Sequence, residues 1–215
     1  MKDWSPDNPK AKLMARKRAA IVAAAKDAFL RDGFAGASME GIAQDAGVSI
    51  MTLYRHAEGK DDLFAAVIES ACHPGDEDER VRLDGVLQKS LGDILTFVGV
   101  MFQERLSSSE TTSLLRVVMT EMRRFPHLGE MAYRGLIGSH EQALLDFLSS
   151  RTEAAGLSLT QRQRATSAFF DRLIGLDSYR VLLDLPSATR DEMQERATRA
   201  ANEMIAAISA SVSSR

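Results

Sequence analysis

Apolar residues recur along this chain at intervals of three and four positions, and the first such segment spans residues 12–31. It places Ile21, Ala25 and Phe29 on one face and is followed by Gly33. Because 3.6 residues make one helical turn, this spacing predicts an amphipathic helix. A glycine just beyond the last turn is typical of a helix C-terminus.

Two short helices are predicted next, over residues 38–55, with a glycine turn between them. Ser38 and Ser49 are each placed to cap a helix, since a serine hydroxyl can accept a hydrogen bond from a backbone N–H in the first turn. The first of these helices ends at Ala46–Gly47, where the glycine adopts the left-handed conformation at little cost. Two such helices, the second of them polar, describe a helix-turn-helix.

A fourth helix is predicted to begin at Gly59–Lys60 and to end before Pro74–Gly75. An acidic run at 76–79 then marks the boundary between a head and a body. Thr160 and Thr189 each precede a Gln or Glu by three positions, which is the spacing of a capping box. Amphipathic segments of the body are predicted at 81–106, 110–124, 126–155, 160–184 and 189–212.

The predicted fold class is therefore all-α, with about nine helices. A flexible arm is expected at 1–11, a helix-turn-helix domain at 12–58, a connecting helix at 59–75, and a larger helical body at 76–215. Composition favours the same class, because Ala, Leu and Met dominate the apolar residues.

Cysteine use and hydropathy bear on the compartment. The single cysteine, Cys72, excludes an internal disulfide and is compatible with the cytoplasm, where we expect the protein. The most apolar stretch, 91–102, is interrupted by Asp93 and Thr96 and is shorter than the roughly 20 residues that span a bilayer. We expect neither a membrane anchor nor a signal peptide.

The distribution of charge is more informative than the net charge of −3. Residues 1–60 hold ten Lys and Arg against seven Asp and Glu, whereas residues 61–215 hold 17 against 23. A mildly basic end on an acidic remainder suits a protein that touches DNA at one end only.

Patterns that would indicate an enzyme are missing from the sequence. We find no nucleophile–base pair, no phosphate-binding loop and no cluster with metal-ligand spacing. His73, His127 and His140 are scattered along the chain. We therefore expect no catalytic residue, no cofactor and no metal site.

Residues 12–68 resemble the N-terminal domain of TetR-family transcriptional regulators. The combination of AGVS, TLYRH and KDDLF at this spacing carries the resemblance. The matching residues are Ile21, Ala24, Phe29, Gly33, Ser38, Ile42–Ala43, Ala46–Ser49, Thr52–His56 and Lys60–Phe64.

This resemblance implies an all-helical homodimer whose three-helix heads bind double-stranded DNA. The body at 76–215 would be the ligand-binding and dimerisation domain, and its small-molecule effector is unknown. The last two helices, about 160–184 and 189–212, would pair with those of the second subunit. Two positions depart from the family pattern. Ala57 stands where an aromatic residue usually wedges between helices, and Gly41 where an acidic residue often completes a capping box.

The resemblance also implies which residues contact DNA. Tyr54 and His56 match positions that bind phosphates, and Lys60 adds a positive charge. Arg55 suits a guanine, and Met51 or Thr52 a thymine methyl group, although Thr52 also suits a phosphate. Tyr54 as a core aromatic and His56 as a surface residue remain alternatives, as does a solvated role for Arg16, Lys17 and Arg18. The predicted DNA-binding residues are Ser38, Ser49, Met51, Thr52, Tyr54, Arg55, His56 and Lys60.

An effector pocket is harder to predict, because methionines line adaptable pockets and fill cores equally well. The candidates are Phe97, Met101, Leu115, Met119, Met122 and Met131. Our hypothesis is a ligand-responsive repressor that binds a near-palindromic operator as a dimer and is released by a small molecule. The alternative is a helical ligand-binding or interaction module with weakened sequence-specific DNA binding, which the departures at Ala57 and Gly41 would favour.

Overall fold

The computed structural model of the protein describes residues 9–72 and 85–213. Within these ranges all regular structure is helical, which confirms the predicted class, with eleven α-helices rather than about nine. They are α1 (Pro9–Gly36), α2 (Met39–Asp45), α3 (Ile50–Tyr54), α4 (Lys60–Cys72), α5 (Leu91–Leu106), α6 (Ser109–Glu121), α7 (His127–Tyr133), α8 (Ser139–Ser150), α9 (Leu159–Ile174), α10 (Asp177–Leu182) and α11 (Arg190–Ser213).

The helices form two compact units. The N-terminal unit comprises residues 1–71 and 113–132, and the C-terminal unit comprises 72–112 and 133–215. None of the helices in the described residues combines the length and the hydropathy that crossing a lipid bilayer requires.

Aromatic rings fill the centre of the N-terminal unit. The ring centroid of Phe34 lies 5.7 Å from that of Phe29, 5.5 Å from that of Phe64 and 5.0 Å from that of Phe125. Separations of this size, with edge-to-face geometry in two of the pairs, are favourable for aromatic rings. The cluster packs α1 against α4 and against the segment between α6 and α7.

Gly33 explains how α1 ends. Its φ of +72° interrupts the helical backbone, and a single further turn follows before Ser38. Only glycine adopts this conformation without steric cost. The amphipathic helix predicted at 12–31 therefore exists, but α1 extends past Gly33 through this last turn.

The C-terminal unit has its core where α5, α9 and α11 meet. Phe169, Phe170 and Leu173 of α9 are buried there against Leu95 of α5 and Ala197 of α11. α5 approaches α11 closely at Gly99, where an added Cβ would lie 2.9 Å from the Cβ of Ala197. The two backbones can approach so closely only because Gly99 has no side chain.

Several predicted boundaries are wrong. α5 begins at Leu91, because the Ser90 hydroxyl accepts the Asp93 N–H and caps the helix there. The helix predicted at 126–155 is present without interruption over 127–150, as α7, a π-helical segment at Arg134–Gly138 and α8, but it ends at Ser150. The helix predicted at 160–184 breaks at Gly175, whose φ is +49°.

One of the two predicted capping boxes is confirmed. Thr189 and Glu192 exchange the expected hydrogen bonds at the start of α11. The other prediction is wrong by two residues, since Ser158 and Gln161 form the box at the start of α9. The predicted end of the fourth helix at 73–75 and the acidic run at 76–79 lie outside the described residues.

Candidate nucleic-acid interface

Hydrogen-bonded serines define the ends of the two short helices. The Ser38 Oγ accepts the Gly41 N–H at 3.1 Å at the start of α2, and the Ser49 Oγ accepts the Thr52 N–H at 3.2 Å at the start of α3. Between them Gly47 has a φ of +64°, as a tight turn after a helix requires. The predicted helix-turn-helix is present in the structure.

α3 has one buried face and one exposed face. Leu53 is completely buried, and Ala57 just beyond the helix is also buried. On the other side Met51 is 73% exposed and Tyr54 is 49% exposed, and Arg55 is exposed as well. Of the predicted DNA-contacting side chains, Met51, Tyr54 and Arg55 are thus accessible to a ligand. The exposure of Tyr54 argues against the alternative that it is a core aromatic.

Hydrogen bonds join one side chain of α3 to the side chains of the two residues that flank the helix, Ser49 and Arg55. The Arg55 Nη2 donates to the Thr52 Oγ1 at 3.1 Å, and the Thr52 Oγ1 lies 2.9 Å from the Ser49 Oγ. Residues three apart on a helix are neighbours on one face, so the spacing of these three residues makes the contacts possible. We call this set the Ser49–Thr52–Arg55 ladder.

His56 lies among cations. Burial is the largest cause that lowers the pKa of its imidazole below the ordinary value, and the positive charges of Arg18, Arg55 and Lys17 lower it further. Its Nε2 is buried and makes no hydrogen bond within the described residues. The structure therefore brings two cations of α1 close to the end of α3, which forms a positively charged surface.

Lys60, which is predicted to contact DNA, has its ammonium bonded to backbone oxygens of the protein. Its ammonium donates to the backbone oxygens of Phe34 at 2.8 Å and Ala35 at 3.2 Å, and it lies 5.1 Å from the centre of the Phe34 ring. Cations favour the carbonyl end of a helix, so these bonds stabilise the end of α1. A DNA contact by Lys60 stays a prediction.

Two contacts of the N-terminal unit have no local signal in the sequence. The Glu121 Oε1 accepts the Ala35 N–H at 3.4 Å, from a position 86 residues further along the chain. The His127 Nε2 lies 2.9 Å from the Asp61 Oδ1, so a histidine that looked isolated in the sequence has a carboxylate partner. Both contacts tie the 113–132 segment to the head.

The six predicted pocket residues are divided between the two units. Phe97 and Met101 of α5 are half-buried in the C-terminal unit. In the N-terminal unit Leu115 and Met131 are half-buried, whereas Met119 and Met122 are more than two-fifths exposed. A pocket formed by these residues stays a prediction.

A cavity of about 360 Å³ in the N-terminal unit contains none of those six residues. Its walls come from α1 and α6, and they combine apolar side chains with hydroxyls and both signs of charge. The lining residues are Leu30, Gly33, Ser113, Arg116, Val117, Thr120 and Glu121.

Several solved structures of regulators have a similar arrangement of helices. A candidate TetR-family transcriptional regulator from Mesorhizobium loti is 22% identical with a TM-score of 0.68, and the match covers 90% of this chain and 96% of that one. The flavonoid-responsive regulator FrrA is 24% identical with a TM-score of 0.65, over 89% and 95% of the two chains. A TetR-family transcriptional regulator from Pseudomonas syringae pv. tomato is 22% identical with a TM-score of 0.53, over 89% and 96%. Among curated proteins, none matches the sequence.

The fold and the site together define a class of protein. A capped helix-turn-helix with an exposed face on its second helix, in an all-helical chain, is typical of DNA-binding transcriptional regulators. Two family models identify the family. The model of bacterial regulatory proteins of the tetR family matches residues 21–67, and that of the C-terminal domain of AefR-like transcriptional repressors matches residues 93–208. The chain belongs to the TetR family, and its C-terminal domain is of the AefR-like type.

Proposed function

We propose that the protein is a ligand-responsive repressor that binds a near-palindromic operator as a homodimer and is released by a small molecule. The observation that carries the proposal is the exposed face of α3, with Tyr54 and Arg55 beside the cations of α1. Cations hold phosphates and exposed side chains read base edges, so this face has both parts of a DNA interface.

Repression and release by a small molecule are typical of the family, and the family model that matches residues 93–208 is described as that of AefR-like transcriptional repressors. A small molecule releases DNA only if it binds more tightly to the conformation that does not fit the operator. Two heads of a dimer would meet successive major grooves about 34 Å apart, which requires a two-fold-related pair of half-sites.

Tyr54→Ala tests the assignment of the exposed face. A hydrogen bond to a charged group contributes about 1.5–3 kcal/mol, so loss of one phosphate contact in each of the two heads is expected to lower operator affinity about 100-fold or more. The free energy of unfolding should change by less than about 0.5 kcal/mol, because the side chain lies at the surface. Affinity is measured by fluorescence anisotropy and stability by chemical denaturation.

Tyr54→Phe is the matched variant, because it keeps the ring and removes only the hydroxyl. An affinity as low as that of Tyr54→Ala assigns the effect to the hydroxyl. A loss of helical signal in Tyr54→Ala would instead make Tyr54 a core residue. Equal affinity of the wild-type protein for any duplex would favour the alternative function, a module with weakened specificity.

The environment of His56 predicts opposite effects of pH on stability and on DNA binding. Burial and neighbouring cations lower its pKa in the free protein, so the unfolded chain binds a proton more readily than the folded one. The stability of the free protein should therefore be complete above the ordinary histidine pKa of about 6.5 and fall as the pH falls from there towards the lowered pKa.

DNA binding should respond in the other direction. A phosphate beside the imidazole favours its charged form, so binding takes up a proton, and affinity rises as the pH falls from the imidazole's pKa in the complex to its lower pKa in the free protein. The rise is at most about tenfold per pH unit for each proton. The measurement is the dissociation constant against pH at fixed salt. His56→Gln should abolish the trend, and an equal slope in this variant would contradict a contact between His56 and phosphate.

A group of exposed apolar residues supports dimerisation through the last helices. Leu176, Tyr179, Leu183 and Leu185 lie within ten residues around α10, and Leu183 is 72% exposed. Exposed apolar surface of this density marks protein contacts. We expect Tyr179→Glu/Leu183→Glu to convert dimers to monomers at micromolar concentration, as measured by sedimentation velocity.

Leu13→Glu is the control for the dimer experiment, because it adds a charge at another exposed leucine, on α1. The Leu13→Glu variant should sediment as a dimer, as the wild-type protein does. A double variant that sediments as the wild type does would place the dimer contact elsewhere.

A further inference from the structure

We propose that Thr52 is a positioning residue, whose hydroxyl holds the Arg55 guanidinium in place to read a guanine in each half-site. This inference rests on the proposed function. It assigns to Thr52 a role different from the direct base or phosphate contact that the sequence suggests.

The hydrogen bonds of the ladder carry the inference. The Arg55 guanidinium only donates, so the Thr52 Oγ1, 3.1 Å from Nη2, is the acceptor. On its other side the same oxygen lies 2.9 Å from the Ser49 Oγ. Whichever of the two hydroxyls donates, the Thr52 oxygen is bonded on both sides within the protein.

Ser49 is itself fixed in the structure. Its Oγ accepts the Thr52 backbone N–H at 3.2 Å as the cap of α3. The ladder therefore begins at a helix cap and ends at a long, flexible arginine. The cap bond uses the backbone of Thr52 rather than its side chain, so removal of the hydroxyl leaves the start of α3 intact.

Arg55 keeps enough donors for base recognition. A guanidinium has five N–H groups, and the bond to Thr52 uses one of them. Bidentate recognition of guanine O6 and N7 needs two. Arginine has more rotamer freedom to lose than most side chains, so a guanidinium that is already held loses less of it on binding.

Thr52 is less exposed to solvent than the side chains that suit direct contact with DNA bases. Thr52 is half-buried, whereas Arg55 is exposed and Met51 is 73% exposed. Met51 is thus the better candidate of the two for a thymine methyl group. Thr52 contributes to specificity through Arg55.

The experiment uses the full chain and an operator obtained by selecting bound duplexes from a random pool. Dissociation constants are measured by fluorescence anisotropy for this operator and for duplexes in which each base pair is changed in turn. The variants are Arg55→Ala, Thr52→Val, Thr52→Ser and Thr52→Val/Arg55→Ala. Valine keeps the shape of threonine without the hydroxyl, and serine keeps the hydroxyl.

Arg55→Ala should abolish discrimination at one G·C pair in each half-site, which is worth about 5- to 150-fold. Thr52→Val should bind the operator about three- to tenfold more weakly and lose discrimination at that same pair only. Thr52→Ser should behave as the wild type does. In the Arg55→Ala background, Thr52→Val should have no further effect, because the two residues act as a unit.

Other patterns overturn the inference. Loss of discrimination at a different base pair would make Thr52 a direct reader. Full discrimination in Thr52→Val, or additive losses in the double variant, would show that Arg55 does not depend on Thr52. If the Arg55→Ala variant discriminates between base pairs as the wild type does, the ladder has no role in base recognition. If the wild-type protein binds all of the single-base duplexes equally well, the proposed function itself is contradicted. This measurement is made on the wild-type protein before any variant is tested.

Discussion

Replacement of Phe34 by alanine is expected to lower the free energy of unfolding by about 3–5 kcal/mol, in the range of buried aromatic truncations. The ring is 3% exposed and contacts the rings of Phe29, Phe64 and Phe125. Its loss removes the apolar transfer free energy and leaves a cavity among side chains from three segments, which cannot all move inward. The Lys60 ammonium would also lose the ring beneath it.

Chemical denaturation followed by circular dichroism measures this effect. Leu30→Ala is the control, because it truncates a side chain of the same helix that is 38% exposed, and it should cost less than about 1 kcal/mol. A loss of less than 1 kcal/mol for Phe34→Ala would contradict a central role for the aromatic cluster.

Gly99→Val is expected to destabilise the C-terminal unit by about 1–3 kcal/mol, as overpacking of a filled core does. An added Cβ would lie 2.9 Å from the Cβ of Ala197 and 3.2 Å from the Leu173 Cδ2, and both neighbours are buried. α5 and α11 would have to move apart. Because α11 is one of the two helices proposed to pair in the dimer, the dimer should weaken as well.

Gly92→Val is the matched control on the same helix, since the nearest atom to its added Cβ is the Ile205 Cδ1 at 3.4 Å, an ordinary contact. Its free energy of unfolding should change by less than about 1 kcal/mol. Ala197→Gly should restore part of the loss in Gly99→Val, because it removes the methyl group that the valine meets. If the changes in the free energy of unfolding of Gly99→Val and Ala197→Gly simply add in the double variant, the two positions do not share the contact.

Local pattern predicted the N-terminal helices well, for physical reasons. The stripe of Ile21, Ala25 and Phe29 requires a buried helix face, and all three residues are buried. Ser38 and Ser49 signal caps because a hydroxyl that accepts a backbone N–H acts within four residues of itself. Such information lies entirely in neighbouring residues.

Helix breaks in the body were less predictable. The stretch from 126 to 155 has an amphipathic pattern throughout, and the pattern does not distinguish α-helix from the π-helical turn at Arg134–Gly138. The capping box at Ser158 was missed because Thr160 offers the same spacing two residues later. The helix predicted at 160–184 is interrupted at Gly175, because a φ of +49° and a ψ of −168° lie outside the helical region.

Contacts distant in sequence were beyond prediction. The bond from Ala35 to Glu121 and the His127–Asp61 pair join residues 86 and 66 positions apart. Lys60 shows the same limit at the predicted DNA-binding site. Its positive charge at the start of α4 predicts a DNA contact, which stays a prediction, whereas the bonds of its ammonium to the end of α1 depend on the fold.

The central claim is that the protein reads a specific, two-fold-related DNA sequence, and selection of bound duplexes from a random pool with the chain of residues 1–215 tests it most directly. The account predicts enrichment of one near-palindrome whose half-sites are centred about one helical turn, or a multiple of it, apart. Affinity for that sequence should fall steeply as salt rises, because each head releases counterions from several phosphates. A pool that remains random after selection, or an affinity that does not change between low and high salt, would contradict the account.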